Sequence, residues 1–134
     1  MTRLFFCAVL IAVASLTFGC KESEFLKASK KADLTERVEQ YHDRFRWRDF
    51  ETASMMVVPS MRGDFMVYAD TIRRGYAIEN YAVKSINVSD SGDQAAVSVR
   101  RSFIESTSVV LQTQDLIQQW IYKEGGWYLA GPPY

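Results

Sequence analysis

The chain has 134 residues, of which 48% are apolar and 13% are aromatic. This length suits one domain, and the apolar content is not that of a disordered chain. Sixteen basic residues balance sixteen acidic ones, so no net charge is available to attract nucleic acid or to steer an anionic substrate. We therefore expect one globular domain that does not bind nucleic acid.

The N-terminus has the parts of a secretory signal. Arg3 is the only charged residue among the first twenty. An apolar run of about 15 residues ends at Phe18, which is shorter than the roughly 20 residues of a membrane-spanning helix. The small residue Gly19 follows, as cleavage requires. We predict that residues 1–19 are a cleaved signal peptide, and the alternative is an uncleaved anchor helix.

A cysteine follows this signal directly. The segment Leu16-Thr17-Phe18-Gly19-Cys20 resembles a bacterial lipobox, in which the cysteine becomes the diacylated first residue of a lipoprotein. The family prefers leucine at the place of Thr17 and a small residue at the place of Phe18. The alternative is an ordinary signal peptidase, which would leave Cys20 as a free thiol. Cys7, the other cysteine, leaves with the signal, so we expect no disulfide in the domain.

A polar, lysine-rich stretch comes next. Residues 20–32 include only Phe25 and Leu26 as large apolar side chains, and they are predicted to be the lipidated cysteine and a polar tether. The resemblance to lipoproteins implies the membrane as a partner, through the lipid. Because Lys21 follows Cys20, it also implies anchoring in the bacterial outer membrane, facing the periplasm.

Helical periodicity begins at Asp33, which forms a capping-box-like pair with Glu36. Apolar residues then recur at i, i+4, i+7 and i+11, and they are Leu34, Val38, Tyr41 and Phe45. His42 lies off this stripe, so we expect it at the surface. The basic residues around Trp47 are interpreted as a solvated helix end.

Two shorter helices are predicted next. Asp49 is the expected cap of the second helix, and Pro59 ends it because proline lacks a backbone N–H. Ser60 is the expected cap of the third helix, and Gly75 is its expected left-handed end. The apolar stripe of the third helix repeats the spacing of the first and consists of Met61, Phe65, Tyr68 and Ile72.

Beyond residue 75 the apolar residues alternate, as they do in strands. The alternation shifts by one residue near Lys84 and Ser85, which predicts a bulge. Turn residues divide the segment into four strands and lie at residues 90–93, 105–108 and 124–126. Helices followed by such a meander predict an α+β domain over residues 33–134, with N-terminal helices packed on a curved four-stranded antiparallel sheet.

Several segments carry a family resemblance. A tyrosine lies in the first helix, Tyr81-Ala82-Val83 begins a strand, and residues 90–99 form the next turn and strand. The ending from Gln119 to Leu129 has the pattern W-x-x-x-x-G-x-W. Together these segments resemble the nuclear transport factor 2-like superfamily, the cystatin-like α+β cone shared with ketosteroid isomerases. Trp120 and Trp127 are expected to pack across a hairpin. The superfamily includes enzymes, binding modules and adaptors, so it implies no single function.

Few residues suggest chemistry. His42 is the only histidine, no ligand set for a metal accompanies it, and no Gly-x-Ser-x-Gly motif is present. In the cone fold a cavity can open between the helices and the concave sheet face. The candidate pocket residues are Tyr41, Tyr68, Asp115 and Gln119. If the strand face of Asp115 is concave, burial raises its pKa and makes it a candidate base. The alternative is that this face is convex or solvated.

We predict a lipid-anchored cell-envelope protein whose domain binds a small ligand or an envelope protein, without catalysis, cofactor or metal. One alternative is a small ketosteroid-isomerase-like or dehydratase-like enzyme, with Asp115 as base and Tyr41 or Tyr68 as hydrogen-bond donor. Another is an adaptor that forms a homodimer through its sheet. A cavity with a buried carboxylate favours the enzyme, and a closed core favours the adaptor.

Overall fold

A computed structural model describes the backbone of residues 18–134 and the side chains from Glu22 onward. The helices are α1 (Phe18–Arg46), α2 (Phe50–Ser54) and α3 (Arg62–Gly75), with a 3-10 turn at Pro59–Met61 before α3. The strands are β1 (Tyr76–Val88), β2 (Gln94–Glu105), β3 (Leu111–Lys123) and β4 (Gly126–Leu129). They form one antiparallel sheet in the order β1-β2-β3-β4. The predicted α+β class, with helices packed on a curved four-stranded antiparallel sheet, is confirmed.

The first helix begins at Phe18 and not near Asp33. The stretch predicted as a polar tether is therefore helical. Its lysine, glutamate, leucine and alanine residues are strong helix formers, and neither glycine nor proline occurs between residues 20 and 46. Lys27 forms an ion pair of 3.1 Å with Asp90, and Lys30 Nζ donates a hydrogen bond of 3.2 Å to the carbonyl of Gly92. This part of α1 thus contacts the turn between β1 and β2.

The shorter helices follow the prediction only in part. Asp49 caps α2, since its side chain accepts a hydrogen bond of 3.3 Å from the backbone N–H of Thr52. Ser60 does not cap α3, because the 3-10 turn leads into that helix directly. Gly75 does not end α3 in a left-handed conformation either. Tyr76 is already extended, so the chain enters β1 without the reversal that such an end provides.

Both helix stripes lie against one face of the sheet, which we call the inner face. All four predicted stripe residues of α1 are fully buried, as is Phe65 of α3. The buried sheet residues include Val97, Val99, Leu116, Trp120, Trp127 and Leu129. Trp120 and Trp127 lie on the two strands of one hairpin, β3 and β4. Trp120 pairs with Leu129 and Trp127 with Tyr122, so the two indoles share the inner face at different register positions.

The register of β1 and β2 explains the change of phase in the sequence. A shift between Val83 and Ser85 confirms the bulge predicted near Lys84 and Ser85. A second shift lies between Ile78 and Asn80 and was not predicted. No helix within residues 18–134 combines the length and the apolar character needed to cross a bilayer.

Candidate functional site

A cavity of about 410 Å³ opens at the end of the sheet where β1 begins and β2 ends. Its wall on one side is the second half of α3, and its other wall is the inner face of β1, β2 and β3. The apolar lining includes Ile72, Ile78 and Phe103, and the polar lining includes Tyr68, Thr71, Arg101, Glu105 and Gln114. Its size falls in the usual range of about 300–1,000 Å³ for small-molecule sites.

Arg101 lies at the base of this cavity and is only 1% exposed. It occupies the inner-face position of β2 between Val99 and Phe103, because side chains alternate along a strand. Its Nη1 donates a hydrogen bond of 3.3 Å to Tyr68 Oη. Its Cζ lies 4.4 Å from the centroid of the Phe45 ring, which is a cation–π contact. The guanidinium is therefore held between α1, α3 and the sheet.

The other nitrogens of Arg101 are not satisfied. Within the described part of the chain, Nε and Nη2 make no hydrogen bond of regular geometry, although the Tyr41 hydroxyl lies close enough to the guanidinium to interact with it as an acceptor. Arg101 belongs to none of the ion pairs among these residues. The neighbouring residue Arg100, in contrast, has a carboxylate partner. Arg100 points to the opposite, outer face, where its Nε and Nη2 bind the two carboxylate oxygens of Asp115 at 2.8 and 2.9 Å.

Two more buried donors lie in the same core. Among the described side chains, the Tyr41 hydroxyl and the Trp120 indole N–H also lack a hydrogen-bond partner. The rings of Tyr41 and Trp120 are 5.8 Å apart and perpendicular. Burial raises the pKa of Tyr41 well above its ordinary value, and the nearby charge of Arg101 only partly opposes this. The Tyr41 hydroxyl therefore stays protonated and can donate.

The prediction that His42 is a surface residue is wrong, since its exposed fraction is 2%. Its Nε2 lies 3.0 Å from Gln118 Oε1. Gln118 Nε2 donates a hydrogen bond of 3.4 Å to the carbonyl of Pro133, so the amide oxygen accepts and His42 Nε2 donates. Burial, followed by the positive charge of Arg101, lowers the pKa of His42 to about 3. His42 is thus a neutral core residue that the stripe of α1 includes at i+4 from Val38.

The structure separates the candidate pocket residues. Tyr68 lines the cavity, and Tyr41 lies in the core close to Arg101. Asp115 and Gln119 lie on the outer face and are exposed, so their placement in a pocket is corrected. The hydrogen bonds from Arg100 hold the pKa of Asp115 below its ordinary value. Asp115 is therefore an ionised surface carboxylate and not the buried base of the isomerase-like alternative.

The sequence left the buried face of β3 open because both faces of this strand carry apolar residues. Ile117 suggested that its face is buried, yet Ile117 is 62% exposed. Leu116, Gln118 and Trp120 point inward instead. Sequence reasoning also missed Arg101 and Glu105. A signal for Arg101 was present, because it is a charged residue in phase with the apolar residues Val97, Val99 and Phe103.

The structure does not describe the side chain at the predicted lipidation site, and its described side chains form no metal site. The side chain of Cys20 lies outside the described residues, as do residues 1–17 of the predicted signal peptide. Among the side chains that are described, no three histidine, cysteine, aspartate or glutamate residues are grouped closely enough to hold a metal ion.

The chain matches no protein family profile and no curated protein, but it is similar to several solved structures. A ketosteroid isomerase-like protein from Erwinia carotovora atroseptica superposes with a TM-score of 0.60 at 13% identity, over 76% of this chain and 92% of that one. A SEC-C motif containing protein from Psychrobacter arcticus gives 0.60 at 14% identity, over 77% and 61%. Another SEC-C motif containing protein, from Rhodopseudomonas palustris, gives 0.56 at 16% identity, over 66% and 68%. These similarities show the fold alone, and they are consistent with the predicted nuclear transport factor 2-like α+β fold.

Proposed function

We propose that this domain binds a small molecule in the cavity between α3 and the sheet, without converting it. The observation that carries the proposal is the open cavity of about 410 Å³ with the buried Arg101 at its base. A buried charge without a counter-charge costs several kcal/mol. A purely structural arginine at this position would be expected to have a carboxylate beside it, as Arg100 has.

The buried polar side chains nearest Arg101 suit recognition better than proton transfer. Arg101 remains protonated at any ordinary pH, and burial keeps the Tyr41 hydroxyl protonated. His42 uses its Nε2–H in a hydrogen bond to Gln118, and burial keeps its pKa far below neutrality. General acid–base catalysis needs a group with a pKa near the working pH. These three side chains supply donors that do not change their protonation near neutral pH.

We further propose that a lipid on Cys20 anchors the protein in the outer membrane, facing the periplasm. The apolar run that ends at Gly19-Cys20 supports this proposal. A second support is the exposure of Phe25 (73%) and Leu26 (56%), which lie within two helical turns of Cys20 and before the contacts of α1 with the sheet. Exposed apolar side chains beside a lipid anchor suit the membrane interface.

A cavity-filling variant tests the binding function. Thr71 is exposed on α3 and lines the cavity, so Thr71→Trp should block the opening without disturbing the core. Val67→Trp is the matched control, one turn earlier on the same exposed side and outside the cavity lining. Ligand-observed NMR with a library of neutral and charged small molecules should find ligands that bind the wild type and Val67→Trp but not Thr71→Trp. Equal binding to all three proteins would contradict the proposal.

A further inference from the structure

We propose that the ligand is an anion, namely a monocarboxylate with an apolar body, and that its carboxylate pairs with Arg101. This inference rests on the proposed binding function and names the chemical class of its ligand. Three observations carry it: the unsatisfied side of the Arg101 guanidinium, the donor character of the polar groups around it, and the apolar walls of the cavity.

The first observation is the geometry of the unsatisfied nitrogens. Nε and Nη2 form one edge of a guanidinium, with two parallel N–H bonds that match the two oxygens of a carboxylate. The chain itself shows this pairing on the adjacent residue, where the same edge of Arg100 binds Asp115. The corresponding edge of Arg101 has no partner among the described residues. Both nitrogens are buried in the unliganded protein, so pairing with a ligand carboxylate requires the guanidinium to turn toward the cavity that Arg101 lines. The carboxylate would then provide the pairing that Asp115 provides on the outer face.

The second observation is that every described buried side-chain atom without a partner can donate a hydrogen bond. Four buried side-chain atoms of the described chain lack a partner, namely Tyr41 Oη, Arg101 Nε, Arg101 Nη2 and Trp120 Nε1. None of them is a carbonyl or carboxylate oxygen. Tyr68 adds a further donor, because its oxygen accepts the hydrogen bond from Arg101 and its own proton remains available. Of these groups, Arg101 and Tyr68 line the cavity, and a permanent cation beside a hydroxyl donor is complementary to an anion.

The third observation concerns the rest of the ligand. Ile72, Ile78 and Phe103 line the same cavity as Arg101, so the part that follows the carboxylate should be apolar. Glu105 is also part of the lining and would repel a second negative charge. The structure thus favours a monocarboxylate over a dicarboxylate or a phosphate.

Matched acids and amides test the charge requirement on the wild-type protein. The probes are straight-chain carboxylates from butyrate to octanoate, and phenylpropionate, each compared with its primary amide by calorimetry. A hydrogen bond to a charged group is worth enough to predict that the best acid binds about 10- to 100-fold more tightly than its amide. The amide keeps the shape of the acid but leaves the guanidinium charge without its counter-charge.

Two variants test whether Arg101 is the residue that makes the protein prefer the acid over the amide. In Arg101→Met the acid should lose its advantage over the amide, whereas Arg100→Met should retain the wild-type ratio. If wild type binds acid and amide equally, and Thr71→Trp abolishes both, the ligand-binding function stands and the anion proposal is wrong. If the acid preference survives in Arg101→Met, the anion proposal is also wrong. If no acid, amide or library compound binds, both proposals fail.

Discussion

Arg100 and Arg101 are consecutive residues in opposite environments, one paired at the surface and one unpaired in the core. Arg101→Met should raise the free energy of unfolding by about 1–4 kcal/mol, because a packed apolar side chain replaces a buried cation that has no counter-charge. Arg100→Met should lower it by less than about 1 kcal/mol, as expected for a solvated ion pair. Urea denaturation measures both. A larger loss in Arg101→Met than in Arg100→Met would mean that the unliganded fold already satisfies the guanidinium.

His42 should make the stability depend on pH. Its pKa falls from 6.5 to about 3 on folding, so between these values the unfolded chain binds the proton and the folded chain does not. The stability contributed by neutral His42 is therefore complete above the unfolded pKa, and it decreases as the pH falls toward 3. Between about pH 6.5 and about pH 5 we expect the free energy of unfolding to fall by about 2 kcal/mol.

The control is His42→Gln, which keeps an N–H donor for Gln118 but does not titrate. Chemical denaturation of both proteins across this pH range isolates the histidine, because their carboxylates are the same. We expect the wild-type curve to fall more steeply than that of the variant. Parallel curves would show that His42 titrates in the folded state near its ordinary pKa.

Among the elements, α3 joins the core and the cavity. Phe65 is fully buried, and its ring contacts those of Tyr41, Phe45 and Tyr134. Phe65→Ala should cost about 3–5 kcal/mol of unfolding free energy, because it leaves a cavity among these rings. Val67→Ala, on the exposed side of the same helix, should change it by less than about 0.5 kcal/mol. Similar denaturation midpoints for the two variants would contradict the assignment of the buried face.

Periodicity predicts which side chains share a face, but not always which face is buried. For α1 the apolar stripe has charged neighbours, so the sequence alone predicts the four buried apolar residues, although it does not predict the buried His42. In β3 the alternative sets contain Leu116 and Trp120 on one face and Ile117 and Ile121 on the other. The inner set includes Gln118, whose burial is possible because His42 and Pro133, distant in sequence, satisfy its amide. The local periodicity of a sequence cannot predict such distant hydrogen-bond partners.

The start of α1 is a second place where the local sequence pattern led to a wrong prediction. Polarity led to the expectation of a tether at residues 20–32, although the helix propensity of the same residues is high. Contacts of Lys27 and Lys30 with the turn between β1 and β2 join this segment to the sheet. Pairs so far apart in the chain become neighbours only in the folded molecule.

For the whole molecule, the anchor proposal makes a direct prediction. Labelled palmitate should enter the wild-type protein but not Cys20→Ala, because the lipobox-like segment places the modified thiol at Cys20. Cys7→Ala is the matched control and should label normally, since Cys7 lies in the predicted signal peptide. Labelling of Cys20→Ala at the wild-type level would contradict the lipid anchor. Loss of labelling in both variants would show that the signal itself was damaged.

The cavity also depends on the whole molecule. The sequence predicted the fold and the place of Tyr68 on a core-facing stripe, and its periodicity put the charged Arg101 in phase with the apolar residues of β2. It could not predict that α3 leaves about 410 Å³ open above that residue. That volume depends on how closely a helix approaches the strand ends, which is set by side-chain packing across the molecule.

The most direct test of the account is the side-chain N–H resonance of Arg101 Nε in heteronuclear NMR, assigned by its loss in Arg101→Met. Titration of the purified protein with the tightest-binding carboxylate should shift this resonance, with the dissociation constant that calorimetry gives. The Nε resonance of Arg100 should stay in place, because its edge already binds Asp115. A saturable shift of Arg101 alone is the result that the account predicts. An unmoved Arg101 resonance in a protein saturated with the carboxylate would contradict it.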